Sequence, residues 1–129
     1  MNAFIPYFNT AGRLLIAAIF LLSGFSKISG YDATQGYMEA MGVPGALLPL
    51  VIVFEIAGAL AVIIGWQTRL FAFLLAGFSL VSAAVFHGNL GDQTQFIMFM
   101  KNVAIAGGFM FLVANGPGAL SLDNRVKKT

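Results

Sequence analysis

Residues 46–65 read ALLPLVIVFEIAGALAVIIG, twenty positions in which one charge, Glu55, interrupts an otherwise apolar run. A hydrocarbon layer about 30 Å thick is crossed by roughly 20 such residues in a helix, so the stretch predicts a membrane span. Working outward, three more runs of the same kind fall at 10–28, 67–87 and 96–114, separated by polar or Gly/Pro-containing breaks. The expected fold is an all-α membrane protein: a four-transmembrane-helix bundle occupying residues 1–129 as one domain.

The composition agrees. Of 129 residues, 59% are hydrophobic and 9% charged, against about 25% charged in ordinary soluble domains. A soluble monomer and a disordered tail are thereby excluded. The net charge of +2 is too small and too scattered to form a phosphate-binding stripe, which excludes nucleic acid as a partner and leaves the lipid bilayer. The absence of cysteine rules out disulfides, a thiol redox centre, Cys-ligated zinc and iron–sulfur clusters.

Arg13 precedes the apolar run Leu14–Leu22, with no basic n-region before it and no small-x-small cleavage site before Lys27, so the first span is expected to be retained. Arg13, Arg69, Arg125, Lys127 and Lys128 fall on the side of the two termini, and Lys27 and Lys101 on the other; this bias predicts both termini in the cytoplasm. Asp32-Ala-Thr-Gln35 has the pattern of a capping box, Gly42 of a C′ residue and Pro44 of a stop, predicting a short amphipathic helix over 32–41 in the first outer loop. Its Tyr37, Met38 and Met41 face would make it either a packing cap or a lid. Gly116-Pro117-Gly118 ends the last span, and Arg125, Lys127 and Lys128 are expected to be headgroup anchors.

An ionisable group at the bilayer centre costs roughly 2.5–3.5 kcal/mol even on the lenient insertion scale, so each needs a partner or water. On the first span Arg13, Ala17, Phe20, Gly24 and Lys27 share one stripe, and on the third Arg69, Phe73, Ala76, Leu80, Ala83 and His87 share another. Both stripes are expected to face inward. Glu55 lies roughly 12 Å and Lys101 roughly 8 Å from the outer ends of their helices at 1.5 Å per residue, near enough to meet. Their pairing would make either a binding site or an interhelical clamp. Glu55, His87, Lys101, Asn102 and Lys27 form the candidate ligand-binding set, able to donate to a carbonyl or anion and to exchange protons. Arg13 and Arg69 are expected at the cytoplasmic floor, as structural residues or anchors that snorkel to the headgroups. One histidine and one intramembrane carboxylate do not make a metal set, and there is no haem or flavin motif. Ser23, Ser26, Ser79 and Ser82 read as packing residues. Phe73 and Phe86 are placed to flank a planar ring.

The succession of Arg13, Gly24-x-x-Lys27, Glu55-Ile-Ala-Gly-Ala-Leu, Gly65, Arg69, His87, Lys101-Asn102 and Gly116-Pro-Gly with Ser121-Leu-Asp123 resembles the DoxX family over nearly the whole chain. Gly30-Tyr31 and the loop Tyr37-Met-Glu-Ala-Met-Gly-Val-Pro-Gly45 are similar to small proteobacterial members. The resemblance implies a four-helix, multi-pass protein of the bacterial inner membrane. Some relatives are linked to quinone or thiosulfate oxidoreductase systems and to oxidative or electrophile stress. The expected function is a quinone- or aromatic-electrophile-binding subunit of a membrane redox or stress-detoxification system, with quinone as ligand and electrons supplied by an oxidoreductase subunit. The chain carries no self-contained catalytic motif. Two alternatives stand beside this: a scaffold or assembly factor of a membrane complex, and a small transporter, homo-oligomeric because four helices leave little lumen.

Overall fold

The computed structural model describes residues 2–127. Among them the chain forms α1 (Ile5–Ser29), α2 (Tyr31–Ala40), α3 (Leu48–Ile64), α4 (Thr68–Phe86), α5 (Gln93–Asn115) and α6 (Leu122–Lys127), with 3₁₀ turns at Asn2–Phe4 and Gly45–Leu47 and no strand. Helix α1, α3 with its leading turn, α4 and α5 are each long and apolar enough to cross a membrane. The four expected spans are therefore present. Two begin earlier than expected, α1 at Ile5 and α5 at Gln93, where the Asp92 carboxylate caps the helix by accepting from the Thr94 amide at 3.1 Å. The loop helix starts at Tyr31 without the expected capping box; Gln35 instead donates across the loop to the Gly45 carbonyl at 3.3 Å.

Helix α1 packs along α3 and α5 along α4, and the two pairs are joined by contact of α3 with α4. Close approach of α1 to α3 runs through Gly24, where a β-carbon would fall 2.5 Å from Ile56 Cγ1. The core contains Ala17, Ala59, Val62, Ala72, Leu75 and Ala106 around an aromatic cluster. In that cluster the Phe20 ring lies 5.6 Å from Phe109 and 6.3 Å from Phe78, which is 5.4 Å from Phe54. These tilted and edge-on pairs join all four spans at mid-bundle.

The α1 stripe is buried as expected at Arg13, Ala17, Phe20 and Gly24. Of the α4 stripe only Ala76 and Ala83 are buried. Phe73 is 65% exposed and Leu80 is exposed as well; the buried face is Thr68, Ala72, Leu75, Ala76, Ser79 and Ala83. The cause lies at the helix end: α4 stops at Phe86, and His87 follows at φ −127°, so the turn and not the helical phase aims the imidazole. Arg69, at the other end of that stripe, is exposed and lies over Gly116.

The end of the bundle that carries both termini is tied together by two side chains. Arg13 is 1% exposed. It does not snorkel to headgroups: Nη1 donates to the carbonyls of Ile63 at 2.8 Å and Val62 at 3.1 Å, and Nη2 to Leu120 and to Thr10 Oγ1. The last carbonyls of α3 have no partners within their own helix, so the guanidinium supplies donors and a charge of the sign that the helix C-terminus favours. Each such charged hydrogen bond contributes about 1.5–3 kcal/mol. Gly65 follows in the left-handed region at φ 77°, and a side chain there would run into Ser121 and come within 2.9 Å of Arg13 Nη1.

Beyond Gly116 the chain folds back under the bundle, and Asp123 meets the start of α4. Its oxygens accept from the amides of Gln67 at 2.7 Å and Thr68 at 2.8 Å, while its own amide donates to Gly65 at 2.8 Å. Of the expected headgroup anchors Arg125 is exposed, whereas the Lys127 side chain and all of Lys128 lie outside the described residues. Partial burial pushes the Asp123 carboxyl up, but the Thr68 and Gln67 amides and the Arg13 charge outweigh it and hold the group below the ordinary carboxylate range. A depressed folded-state value means stability that is complete above the unfolded value, near 4, and lost as pH falls through the lower folded one. The melting temperature of the detergent-solubilised protein is therefore expected to drop below about pH 4, and Asp123→Asn to melt lower at neutral pH with a shallower acid dependence. An unchanged melting temperature in Asp123→Asn would remove the capping role.

Candidate functional site

The only formal charge on α3, Glu55, is 2% exposed. Its partner is Lys27, not Lys101: Lys27 Nζ lies 2.8 Å from Glu55 Oε1 and donates to Ser23 Oγ at 2.6 Å. The contact with Oε1 is a charge pair without hydrogen-bond alignment. Helix adjacency explains the choice. Gly24 lets α1 lie directly on α3, and Lys27 follows one turn later on the same face, whereas α5 with Lys101 packs on α4. Ser23, read in sequence as packing, is an acceptor for the ammonium; its position four residues before Lys27 is the signal that spacing alone offered. Ser79 does bond its own backbone, donating to Leu75 at 2.9 Å.

Beside the pair, toward the end of the bundle formed by the α1–α3 connection, lies an open cavity of about 440 Å³. All five candidate residues line it: Lys27 and Glu55 from α1 and α3, His87 just after α4, and Lys101 and Asn102 from α5. His87 Nδ1 lies 2.9 Å from Gln95 Oε1, which fixes the ring with one nitrogen engaged. Lys101 is exposed; Lys27–Glu55 is the one ion pair within 4 Å among the described residues. No group of three His, Cys, Asp or Glu side chains suited to a metal occurs among those residues.

Apart from the hydroxyls of Ser23, Thr34, Tyr37, Ser79 and Ser82, the rest of the wall is apolar. Phe20 and Phe78, the upper members of the aromatic cluster, form the floor. Phe73 lies outside the cavity on the exposed face of α4, so the expected ring pair of Phe73 and Phe86 is replaced by Phe20, Phe78 and Phe86. Helix α2 contributes Thr34, Tyr37 and Met38 at the mouth. The Tyr37 ring stacks on Phe86 with centroids 5.5 Å apart, and its hydroxyl donates to the Phe86 carbonyl at 3.4 Å. Met38 is buried against Leu48 and Ile52, while Tyr37, despite its stack on Phe86, and Met41 remain exposed, so one residue of the expected three-residue face is buried.

These features define a polytopic four-helix membrane protein with one end tied together by its own tail and a largely apolar cavity, bordered by charged side chains, at the other. The DoxX family model matches residues 8–88, and the chain belongs to the DoxX family. It is 49% identical over 116 residues to the inner membrane protein YqjF of Escherichia coli K12, covering 90% of this chain and 89% of that protein. Identity with the inner membrane protein YphA of the same organism is 37% over 127 residues, covering 93% and 91%. A match of 33% over 124 residues to ATP synthase subunit a of Sinorhizobium medicae covers 85% of this chain but 49% of that protein. No solved structure matches. Family, relatives and four apolar helices together make this a multi-pass inner-membrane protein.

A double-mutant cycle checks the pairing. Lys27→Met is expected to destabilise by about 3 kcal/mol, because it leaves a buried carboxylate alone, and Glu55→Gln added to it to recover much of that loss. The parallel cycle of Glu55→Gln with Lys101→Met is expected to be additive within about 0.5 kcal/mol. Stronger coupling to Lys101 than to Lys27 in detergent unfolding experiments would overturn the assignment.

Proposed function

We propose that the chain is a small ligand-binding subunit of a membrane redox or stress-detoxification system, and that its cavity holds a quinone or aromatic electrophile. The observation that carries this is the gathering of Lys27, Glu55, His87, Lys101 and Asn102 around one 440 Å³ space floored by Phe20 and Phe78. That volume is within the range of small-molecule pockets, about 300–1,000 Å³, which combine apolar walls with a few placed polar groups. A ring rests on the two phenylalanines while Lys101 and Asn102 donate to a carbonyl oxygen. Glu55 holds Lys27 at the opposite wall, and His87 exchanges protons at the mouth. Reducing a quinone to the hydroquinone takes up two electrons and two protons. The electrons come from a partner oxidoreductase subunit, since the chain offers donors and proton carriers but no redox group of its own.

A scaffold is the second reading, supported by the Lys27–Glu55 pair, which links α1 to α3 without any ligand. The transporter reading is weaker because the aromatic cluster closes the cavity toward the opposite end of the bundle. The chain also spans only 49% of the ATP synthase subunit it matches.

For orientation, the excess of Arg and Lys at the end carrying both termini supports a cytoplasmic position for that end and a periplasmic one for the cavity mouth. Alkaline phosphatase fused after Arg125 is expected to be inactive, and the same enzyme inserted at Gly42 to be active; the reverse pattern would invert the topology. For function, the purified protein in lipid nanodiscs is expected to bind 1,4-naphthoquinone. Lys101→Ala and His87→Ala should each weaken binding by about tenfold, the loss of one good hydrogen bond, without lowering the melting temperature. Equal affinity in the wild type and both variants would reject the site.

A further inference from the structure

We propose that the cavity selects an aromatic ligand bearing an acidic oxygen, an organic anion, over its neutral isostere; this rests on the ligand-binding reading above. Glu55 faces Lys27 at 2.8 Å, so the formal charges on that wall cancel. Across the cavity Lys101 has no carboxylate within 4 Å among the described residues. The other acids of this end are engaged elsewhere or remote from it: Asp92 caps α5 through the Thr94 amide, Glu39 lies beside Gly45, and Asp32 is exposed at the start of α2. One uncompensated ammonium therefore borders an otherwise balanced, largely apolar space.

Its depth makes the imbalance matter. Lys101 is eight residues into α5, about 12 Å from the helix start at 1.5 Å per residue. A lone charge at such a depth in a span is costly unless water or a counter-charge meets it. A phenolate, enolate or carboxylate oxygen offsets that cost with a charge-assisted hydrogen bond, roughly twice as strong as one to a neutral carbonyl. Asn102 adds a neutral donor beside it. Phe20 and Phe78 face the ring that such an oxygen would decorate. Access also fits an amphipathic anion. Helices α1 and α5 touch at Ile16 against Gly108 and at Phe20 against Phe109, while nearer the mouth both line the cavity, so a ligand can enter from the lipid side with its acidic group toward the surface.

The test compares 1,4-naphthoquinone with 2-hydroxy-1,4-naphthoquinone, which is ionised at neutral pH, on the full chain in nanodiscs. The hydroxylated probe is expected to bind about tenfold more tightly, the yield of one charge-assisted over one neutral hydrogen bond. Lys101→Gln, which keeps a donor but no charge, should erase the preference while still binding the parent quinone; Lys101→Arg should retain it. Lys101 is exposed, so these variants do not disturb the core. Equal affinity for the two probes in the wild type, as when headgroup phosphates already satisfy Lys101, overturns the anion selectivity and leaves the cavity reading standing. So does a preference that survives Lys101→Gln. Binding of neither probe overturns the cavity reading itself.

Discussion

One guanidinium determines how this bundle is closed. Arg13 sits on a helix meant for lipid, and among the described residues no carboxylate lies at ion-pair distance from it. It is held mostly by backbone: the Val62 and Ile63 carbonyls in the last turn of α3 and the carbonyl of Leu120 in the returning tail, with the hydroxyl of a threonine one turn away on its own helix. A membrane-embedded arginine and a helix C-terminus with orphan carbonyls each carry a penalty when alone. Joined, they offset one another, and the geometry that joins them also dictates where the tail must go. Ser121 packs on Gly65, the Asp123 amide reaches the Gly65 carbonyl, and the Asp123 carboxylate then caps the next helix. Three chain segments far apart in sequence thus share one polar knot.

The opposite end solves the same problem differently. Glu55 is neutralised by one lysine, and the remaining polar groups are spread around open space. The difference follows from pairing. With α1 on α3 and α5 on α4, a core of small residues and four phenylalanines fills the middle, but the far ends of α1 and α5 splay around the cavity. Helix α2 lies at its mouth, held there by Met38, the Tyr37–Phe86 stack and the hydrogen bond from Gln35 to Gly45.

How much of this was legible from residue order depends on whether a feature was local. The four spans were legible because hydropathy over 20 residues is a property of the helix itself. The inward face of α1 was legible for the same reason, since an unbroken helix preserves phase from Arg13 to Lys27. Phase failed on α4 because His87 belongs to the turn, and an anchor outside the helix rotates every inference drawn from it. Depth brought Glu55, Lys101, Lys27 and His87 to one end correctly, but depth cannot say which helices touch; the identity of the Glu55 partner is a matter of packing and was decided by Gly24. Asp123 was invisible as a cap because its target lies 55 residues away in the chain.

The scarcity of charge gives the remaining step. A chain with so few ionisable groups within its spans uses most of them in pairs or on backbone: Arg13 on carbonyls and Lys27 with Glu55. Against that economy an unmatched Lys101 beside an open, ring-lined cavity stands apart. A structural lysine would have been expected to acquire an acid or a row of carbonyls, as Lys27 and Arg13 did. Among the described residues the fold supplies Lys101 with neither and leaves it beside open space, which is the gap that the proposed acidic ligand would fill.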